Sequence, residues 1–313
     1  MREELIVSGR NIPNIDPHLE IWHWPIPLYL FLGGLAAGLL FFAALYTLMG
    51  KEDKVPTAIK YGPFIALIAI SIGLLALFYD LTHKLYFWRL YTTIRLESPM
   101  GWGAWTLLIV SALNALWCAI YIKTIFPNWD WKYNWIKKVL EFAQKNIKLI
   151  AWLLIIYATI LGIYTGILLS AFNARPLWNT SILGPLFLAS GLSAGAAMLM
   201  LVSKSHIERT IFSKVDLIII GIELFIIIHM IMGFKASTQV QIEAADLLLG
   251  GDYTFMFWGL VVFIGMIVPA VLEVLELYGK KIPVLLPSLL VLFGSAALRF
   301  IIVFAGQESR WLY

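Results

Sequence analysis

A single cysteine, Cys118, is all the thiol chemistry available to these 313 residues. One thiol cannot close an internal disulfide, hold an iron–sulfur cluster through cysteine or complete a thiolate zinc site. Cys118 lies inside an apolar run and reads as a packed side chain, because free cysteine behaves as a small hydrophobe. Charge is scarce too: Asp, Glu, Lys and Arg make up 13% of the residues, about half the usual soluble share. The histidines are His18, His23, His83, His206 and His229, and only His229 falls within an apolar run. A bis-histidine haem needs two such residues facing each other across helices, so no haem is expected. No phosphate loop, metalloprotease motif or nucleophile elbow occurs, and no metal site is expected in this protein. The first 20 residues carry Arg2, Glu3, Glu4, Arg10, Asp16 and Glu20 and do not read as a secretory leader. Membrane insertion is therefore expected to be directed by the first apolar run.

What the sequence has instead is apolar length. Hydrophobic residues make up 61%, more apolar surface than one soluble core of this size can cover. Eight runs, roughly 26–49, 63–82, 101–122, 149–170, 182–203, 215–234, 254–275 and 284–304, are each near bilayer-spanning length. They are continuous rather than alternating, which favours helices over barrel strands. Pro25, Pro27, Pro63, Pro99 and Pro283 sit at their starts, where a missing N–H costs nothing. The expected fold class is all-α: a polytopic membrane protein of about eight transmembrane helices in two four-helix bundles. An N-terminal tail (1–25) would precede a first half (26–170) and a second half (171–313).

The pI near 9.0 is not a nucleic-acid signal. With eight spans both termini share a side. Fourteen of the 23 Lys and Arg fall in the loops of the other side, against eight with the termini, and Arg299 lies inside the last run. Basic loops face the cytoplasm. The 123–148 loop, with Trp129, Trp131 and Trp135, is thus expected inside, and the termini with loops 83–100, 171–181 and 235–253 outside, in the cell membrane.

The sequence also echoes itself. Leu30-Phe31-Leu32-Gly33-Gly34-Leu35-Ala36-Ala37-Gly38 returns as Leu186-Phe187-Leu188-Ala189-Ser190-Gly191-Leu192-Ser193-Ala194-Gly195, with one insertion. This supports two halves in parallel orientation. Gly34/Gly38 and Gly191/Gly195 are small-xxx-small pairs, which permit close helix contact by packing alone.

Polar groups within apolar runs are costly and face a bundle interior or cavity. Asp80 closes the second run, Tyr164 lies in the fourth, Glu223 in the sixth and Arg299 in the eighth. Glu223 and Arg299 are candidates for an ion pair or a proton path. Glu273 and Glu276, near the end of the seventh run, read as solvated interfacial groups, and His83 and His206 as surface positions. His23, Tyr29, Asp80, Ser98 and Tyr164 all fall near the expected outer face. Phenol, imidazole and carboxyl groups beside an apolar pocket can hold a quinone head-group and handle its protons, although Tyr and Trp also simply anchor helices at interfaces.

Several strings carry a family resemblance: Trp22-His23-Trp24, Leu32-Gly33-Gly34-Leu35-Ala36-Ala37-Gly38, Ser98-Pro99-Met100-Gly101-Trp102-Gly103-Ala104-Trp105, Asn173-Ala174-Arg175-Pro176-Leu177-Trp178-Asn179, Leu188-Ala189-Ser190-Gly191-Leu192-Ser193-Ala194-Gly195, Leu298-Arg299 and Ala305-Gly306-Gln307. In these the protein resembles the NrfD/polysulfide-reductase membrane-subunit family. The resemblance implies a haem-free membrane subunit of a multisubunit oxidoreductase, exchanging electrons between (mena)quinone and a docked iron–sulfur subunit that often serves a molybdopterin-type catalytic subunit. It implies a quinone pocket near the outer face that includes a helix-four Tyr eleven residues before the motif Arg. Here that Tyr is Tyr164, ahead of Arg175. Two pocket positions on the first helix, Asn and His in the polysulfide reductase type, correspond to Ile26 and Tyr29. Ile26 cannot donate a hydrogen bond, and His23 is the expected substitute. Asp80 matches an acidic position closing the second helix. The implied site is therefore Tyr164 and Asp80 in catalysis, with Tyr29 and His23 completing the quinone contacts. A secondary transporter or proton channel, and a purely structural membrane anchor, are the alternatives. Membrane lipid is an expected partner and nucleic acid is not.

Overall fold

The computed structural model describes residues 22–93 and 97–309. Eight helices are long and apolar enough to cross a membrane: α1 Pro25–Leu48, α2 Gly62–Asp80, α3 Pro99–Ile120, α4 Ile147–Ser170, α5 Leu183–Val202, α6 His206–Lys235, α7 Phe255–Leu277 and α8 Leu285–Glu308. No strand occurs among the described residues. The protein is an all-α polytopic membrane protein, as its composition requires.

Pro25, Pro63 and Pro99 stand in the first turns of α1, α2 and α3, where helices leave N–H groups unused. The largest departure from the apolar pattern is α6, which starts at His206 rather than near 215. The charges of 206–214 look like a loop, but Glu208 is turned inward and fully buried. Its carboxylate accepts from Ala58 N at 2.9 Å and from the Ser203 hydroxyl at 2.8 Å. It thereby caps the short helix Pro56–Lys60 and pins the start of α6. His206, expected in a loop, is the first residue of that helix. The loops also carry structure of their own. Asn134–Lys145 is an amphipathic helix in the 123–148 connection, and Gln239–Leu249 is a helix in 235–253. In α7 the winding is of the π type over Phe255–Ile267 and α from Val268 onward. The change falls beside Pro269, which has no N–H to give either ladder.

Helix α1 is the hub: it packs against α2, α4, α5 and α8. Helix α5 packs against α4, α6 and α8 in turn. The outward faces keep large apolar side chains exposed, among them Ile68, Leu75, Phe225 and Phe263. That surface is what a hydrocarbon solvent demands and water would penalise. Close packing of small residues drives helix association in lipid. Accordingly, the two copies of the internal echo meet each other. A Cβ on Gly38 would lie 2.2 Å from the Gly191 carbonyl oxygen, and one on Gly195 would lie 2.7 Å from the Gly38 carbonyl carbon. Gly265 and Gly294 join α7 to α8 in the same way.

Candidate functional site

The start of α3 and the end of α4 diverge enough to leave a cavity of about 680 Å³. Trp102, Trp105, Thr106 and Ile109 line it from α3, and Tyr157, Ile160, Ile163, Tyr164 and Ile167 from α4. These spacings of three and four residues place each set on one helix face. Thr93, Glu97 and Pro99 close the end nearest the α2–α3 connection. The walls are overwhelmingly apolar, with phenols, indoles, the Thr93 and Thr106 hydroxyls and one exposed carboxylate, Glu97, as their polar groups. Such a volume and lining suit a small aromatic ligand oriented by a few polar contacts.

Tyr164 is the best-placed polar group. It is 7% exposed. Its phenol lies directly over Gly103 of α3: a Cβ there would sit 1.8 Å from the Tyr164 Cζ and 2.2 Å from its hydroxyl oxygen. The glycine of the Trp102-Gly103-Ala104 string is therefore the notch that receives the phenol. No protein group among the described residues hydrogen-bonds that hydroxyl. Tyr29 of α1 is buried behind it, within electrostatic reach of both Tyr164 and Tyr91. Tyr91 meets Trp105 edge to face at 6.4 Å between ring centres. Tyr91 in turn lines a second cavity of about 520 Å³ with Leu74, Phe78, Leu81 and Phe87. An aromatic wall of Trp105 and Tyr91 thus stands between the two.

The five residues singled out by sequence divide into three groups. Tyr164 and Tyr29 come together. His23 and Asp80 form their own pair, Nδ1 to Oδ1 at 3.7 Å, with His23 exposed. Neither lines the larger cavity, although Leu81, next to Asp80, lines the second. Ser98 is a helix cap: its hydroxyl accepts from Gly101 N at 3.4 Å. Sequence reasoning passed over Glu97, Tyr157 and Tyr91, and took Gly103 and Trp105 only as part of a resemblance string, with no place in the site. The spacing of Trp102 and Trp105, and of Tyr157 and Tyr164, was the available signal, but apolar packing produces the same pattern.

The other polar candidates lie elsewhere. Arg299 is fully buried. It was expected to face a carboxylate, yet among the described residues none lies within ion-pair distance of it. Its guanidinium donates to the Ser190 hydroxyl at 2.5 Å, the Ser295 carbonyl at 2.8 Å and hydroxyl at 2.7 Å, and the Phe187 carbonyl at 2.9 Å. Neutral oxygens of α5 and α8 thus accept from both terminal nitrogens of the fork, while its Nε–H has no partner among the described residues. Glu223 stays beyond this ring, near enough to act on it through charge. Glu273, expected at a solvated interface, is fully buried.

The Arg175 and Gln307 strings form a clasp at the same end as the cavities. Gln307 accepts from Trp22 N at 2.8 Å and donates to Trp22 O at 2.9 Å. The Trp178 indole donates to Ile302 O at 2.7 Å and stacks on Trp22 at 5.2 Å. A Cβ on Gly306 would fall 1.7 Å from that indole nitrogen. Arg175 donates to Ser309 O at 3.0 Å. Its half-buried position lowers the guanidinium pKa through desolvation, but an arginine remains charged at neutral pH.

A family model described as "Polysulphide reductase, NrfD" matches residues 13–309. The protein belongs to the NrfD family. It is 32% identical over 301 residues to the C subunit of polysulfide reductase from Wolinella succinogenes, covering 92% of this protein and 94% of that one. It is also 32% identical over 311 residues to protein NrfD of Escherichia coli, covering 93% and 96%. The NrfD homologue of Haemophilus influenzae is 28% identical over 313 residues. As an NrfD-family protein it is an integral membrane subunit of a respiratory oxidoreductase. The strings that carried the resemblance occupy four places in this NrfD fold: the Gly103 notch beneath Tyr164, the clasp at the end of α8, the glycine contact of α1 with α5, and the buried Arg299 beside it.

Proposed function

We propose that this protein is the quinone-reactive subunit of its complex, and that a membrane quinone or quinol binds in the α3–α4 cavity. The observation that supports this most is the Tyr164 phenol. It is buried in an apolar cavity, has no protein partner and is held in place by a glycine notch. The hydroxyl opens onto the cavity, and a quinone carbonyl placed there would accept the hydrogen bond that no protein group takes. Trp105 and Tyr157 offer ring faces for the head-group, and Glu97 at the mouth can accept a proton released on quinol oxidation. Tyr29 and the His23–Asp80 pair form the flank of the same end. They give a second place for protons beside the smaller cavity.

The protein's own residues bind, orient and deprotonate. The electrons must leave to an iron–sulfur subunit docked over this end, which passes them to a molybdopterin-type catalytic subunit, or must arrive by the reverse route. In this reading both termini face outside. Arg89, exposed beside Tyr86, is a docking group. Arg175 is not, because it is spent on α8, and Arg95 lies outside the described residues. An azido-quinone photolabel tests the site. Label is expected in the Pro99–Ile109 and Tyr157–Ile167 peptides of the assembled complex. Label confined to the α2 face of the second cavity would move the site there, and no quinol-protectable label at all would reduce the protein to a structural anchor.

A further inference from the structure

The second half of the protein holds a set of buried polar groups that the quinone reading does not use. Asp216 of α6 and Glu273 of α7 are both fully buried, and their carboxyl groups come within hydrogen-bonding reach of each other. The Ser193 hydroxyl of α5 donates to Asp216 Oδ1 at 2.6 Å. Asp216 Oδ2 and both Glu273 oxygens have no donor. Ser213, one helical turn before Asp216 and 2% exposed, also has an unpartnered hydroxyl oxygen on the Glu273 side.

The groups that act on the pair from the surrounding helices are Ser193, Ser213, Glu223 and Glu276. None is a base, and the two charged types are both acids. Two touching carboxyl groups in an apolar interior cannot both be ionised without a compensating cation. One proton between Asp216 Oδ2 and a Glu273 oxygen satisfies two orphaned atoms with a single hydrogen bond.

We propose that Asp216 and Glu273 form a buried proton-binding site that exchanges with the lysine-rich end of the helix bundle. Glu273 is four residues from the last residue of α7, so it lies about 6 Å inside that end. Glu276 is half-buried, one turn nearer the end on the same helix, and connects the pair to water. A proton carried on Glu276 passes to Glu273: the Glu276 O–H bond breaks as one forms on a Glu273 oxygen. Transfer inward breaks the Glu273 bond as one forms on Asp216 Oδ2, the oxygen that Ser193 leaves open. No other atom changes its bonding. The site lies in the opposite half of the protein from the α3–α4 cavity, and does not depend on what binds there.

A proton is favoured over a sodium ion because a single proton joins the two carboxyl groups, while the Ser193 hydroxyl directs its hydrogen into the pocket, onto Asp216 Oδ1. The test uses the full-length protein in its complex. Dicyclohexylcarbodiimide is apolar and adds to protonated carboxyl groups. We expect it to modify Glu273 or Asp216 in the wild-type protein at neutral pH, as read by peptide mass spectrometry, equally in sodium and potassium chloride. In infrared spectra the carbonyl band of a protonated carboxylic acid should be present and should shift in D2O. It should be lost in Asp216→Asn with Glu273→Gln and retained in Glu52→Gln. Absence of both label and band in the folded wild type overturns the proposal. Protection from the label by sodium but not potassium also overturns it, and makes the pair a cation site instead.

Discussion

Replacing Gly103 with alanine adds one methyl group, and the structure says where it goes. It would lie 1.8 Å from the Tyr164 Cζ and 2.2 Å from the hydroxyl oxygen. Ordinary carbon contacts are about 3.5–4.0 Å, so the ring must move by about 2 Å. The Gly103 side cannot yield, because its atom is fixed to the α3 backbone. A hydrogen bond does not survive a shift of that size, since its distance window is only a few tenths of an ångström wide. Gly103→Ala should therefore act on quinol as Tyr164→Phe does. Each removes a hydrogen bond worth roughly 1.5 kcal/mol, which is about a tenfold loss in quinol-linked turnover. Gly103→Ala should also destabilise the fold by about 1–3 kcal/mol through overpacking, whereas Tyr164→Phe should not. In a Tyr164→Leu background the clash is gone, and Gly103→Ala should cause no further loss of turnover, a non-additivity typical of touching residues. The assay compares quinol-driven turnover with turnover from an artificial donor that feeds the partner subunit directly; only the first should fall. Wild-type quinol turnover in an assembled Gly103→Ala complex would refute the reasoning. The site would then have to be sought around His23, Tyr29 and Asp80.

Four shorter tests accompany it. A cysteine placed at Asp246 should react with an impermeant thiol reagent in intact cells, and one at Lys137 should not; the reverse pattern would invert the orientation. Gly191→Val should separate α1 from α5 and lose stability by more than about 3 kcal/mol, because the atoms it meets are the Gly34 backbone at 2.7–3.1 Å; unchanged thermal stability would show that the two helices do not depend on this contact. The purified protein should show no b-type haem absorption, since His229 is exposed beside Phe225 at 4.4 Å between rings and no second histidine shares its span; a stoichiometric haem lost in His229→Ala would overturn that. Arg89→Glu should lower recovery of an iron–sulfur partner in pull-downs, while Arg175→Ala should instead lower the stability of the fold; normal recovery with Arg89→Glu would remove this residue from the docking surface.

Much of this protein was determined by sequence alone, for reasons that lie in the solvent. A bilayer requires each spanning segment to satisfy its own backbone, so apolar length translates directly into helices. Their number and most of their ends were readable, with prolines marking the starts. The membrane did not help where charge and burial part ways. Polarity marked 206–214 as a loop, but Glu208 finds two amides and a hydroxyl inside the fold, and so the helix runs on. Arg299 was legible as a group needing partners, whereas its partners, two serines and two carbonyls, come from α5 and α8. Glycine was legible as an allowance for close approach, but not what approaches. Only tertiary structure decided that Gly38 meets Gly191, that Gly103 receives the Tyr164 phenol, and that Gly306 receives the Trp178 indole. Spacing within one helix names a face; which helix lies against that face is a long-range fact, set by the packing of all eight together.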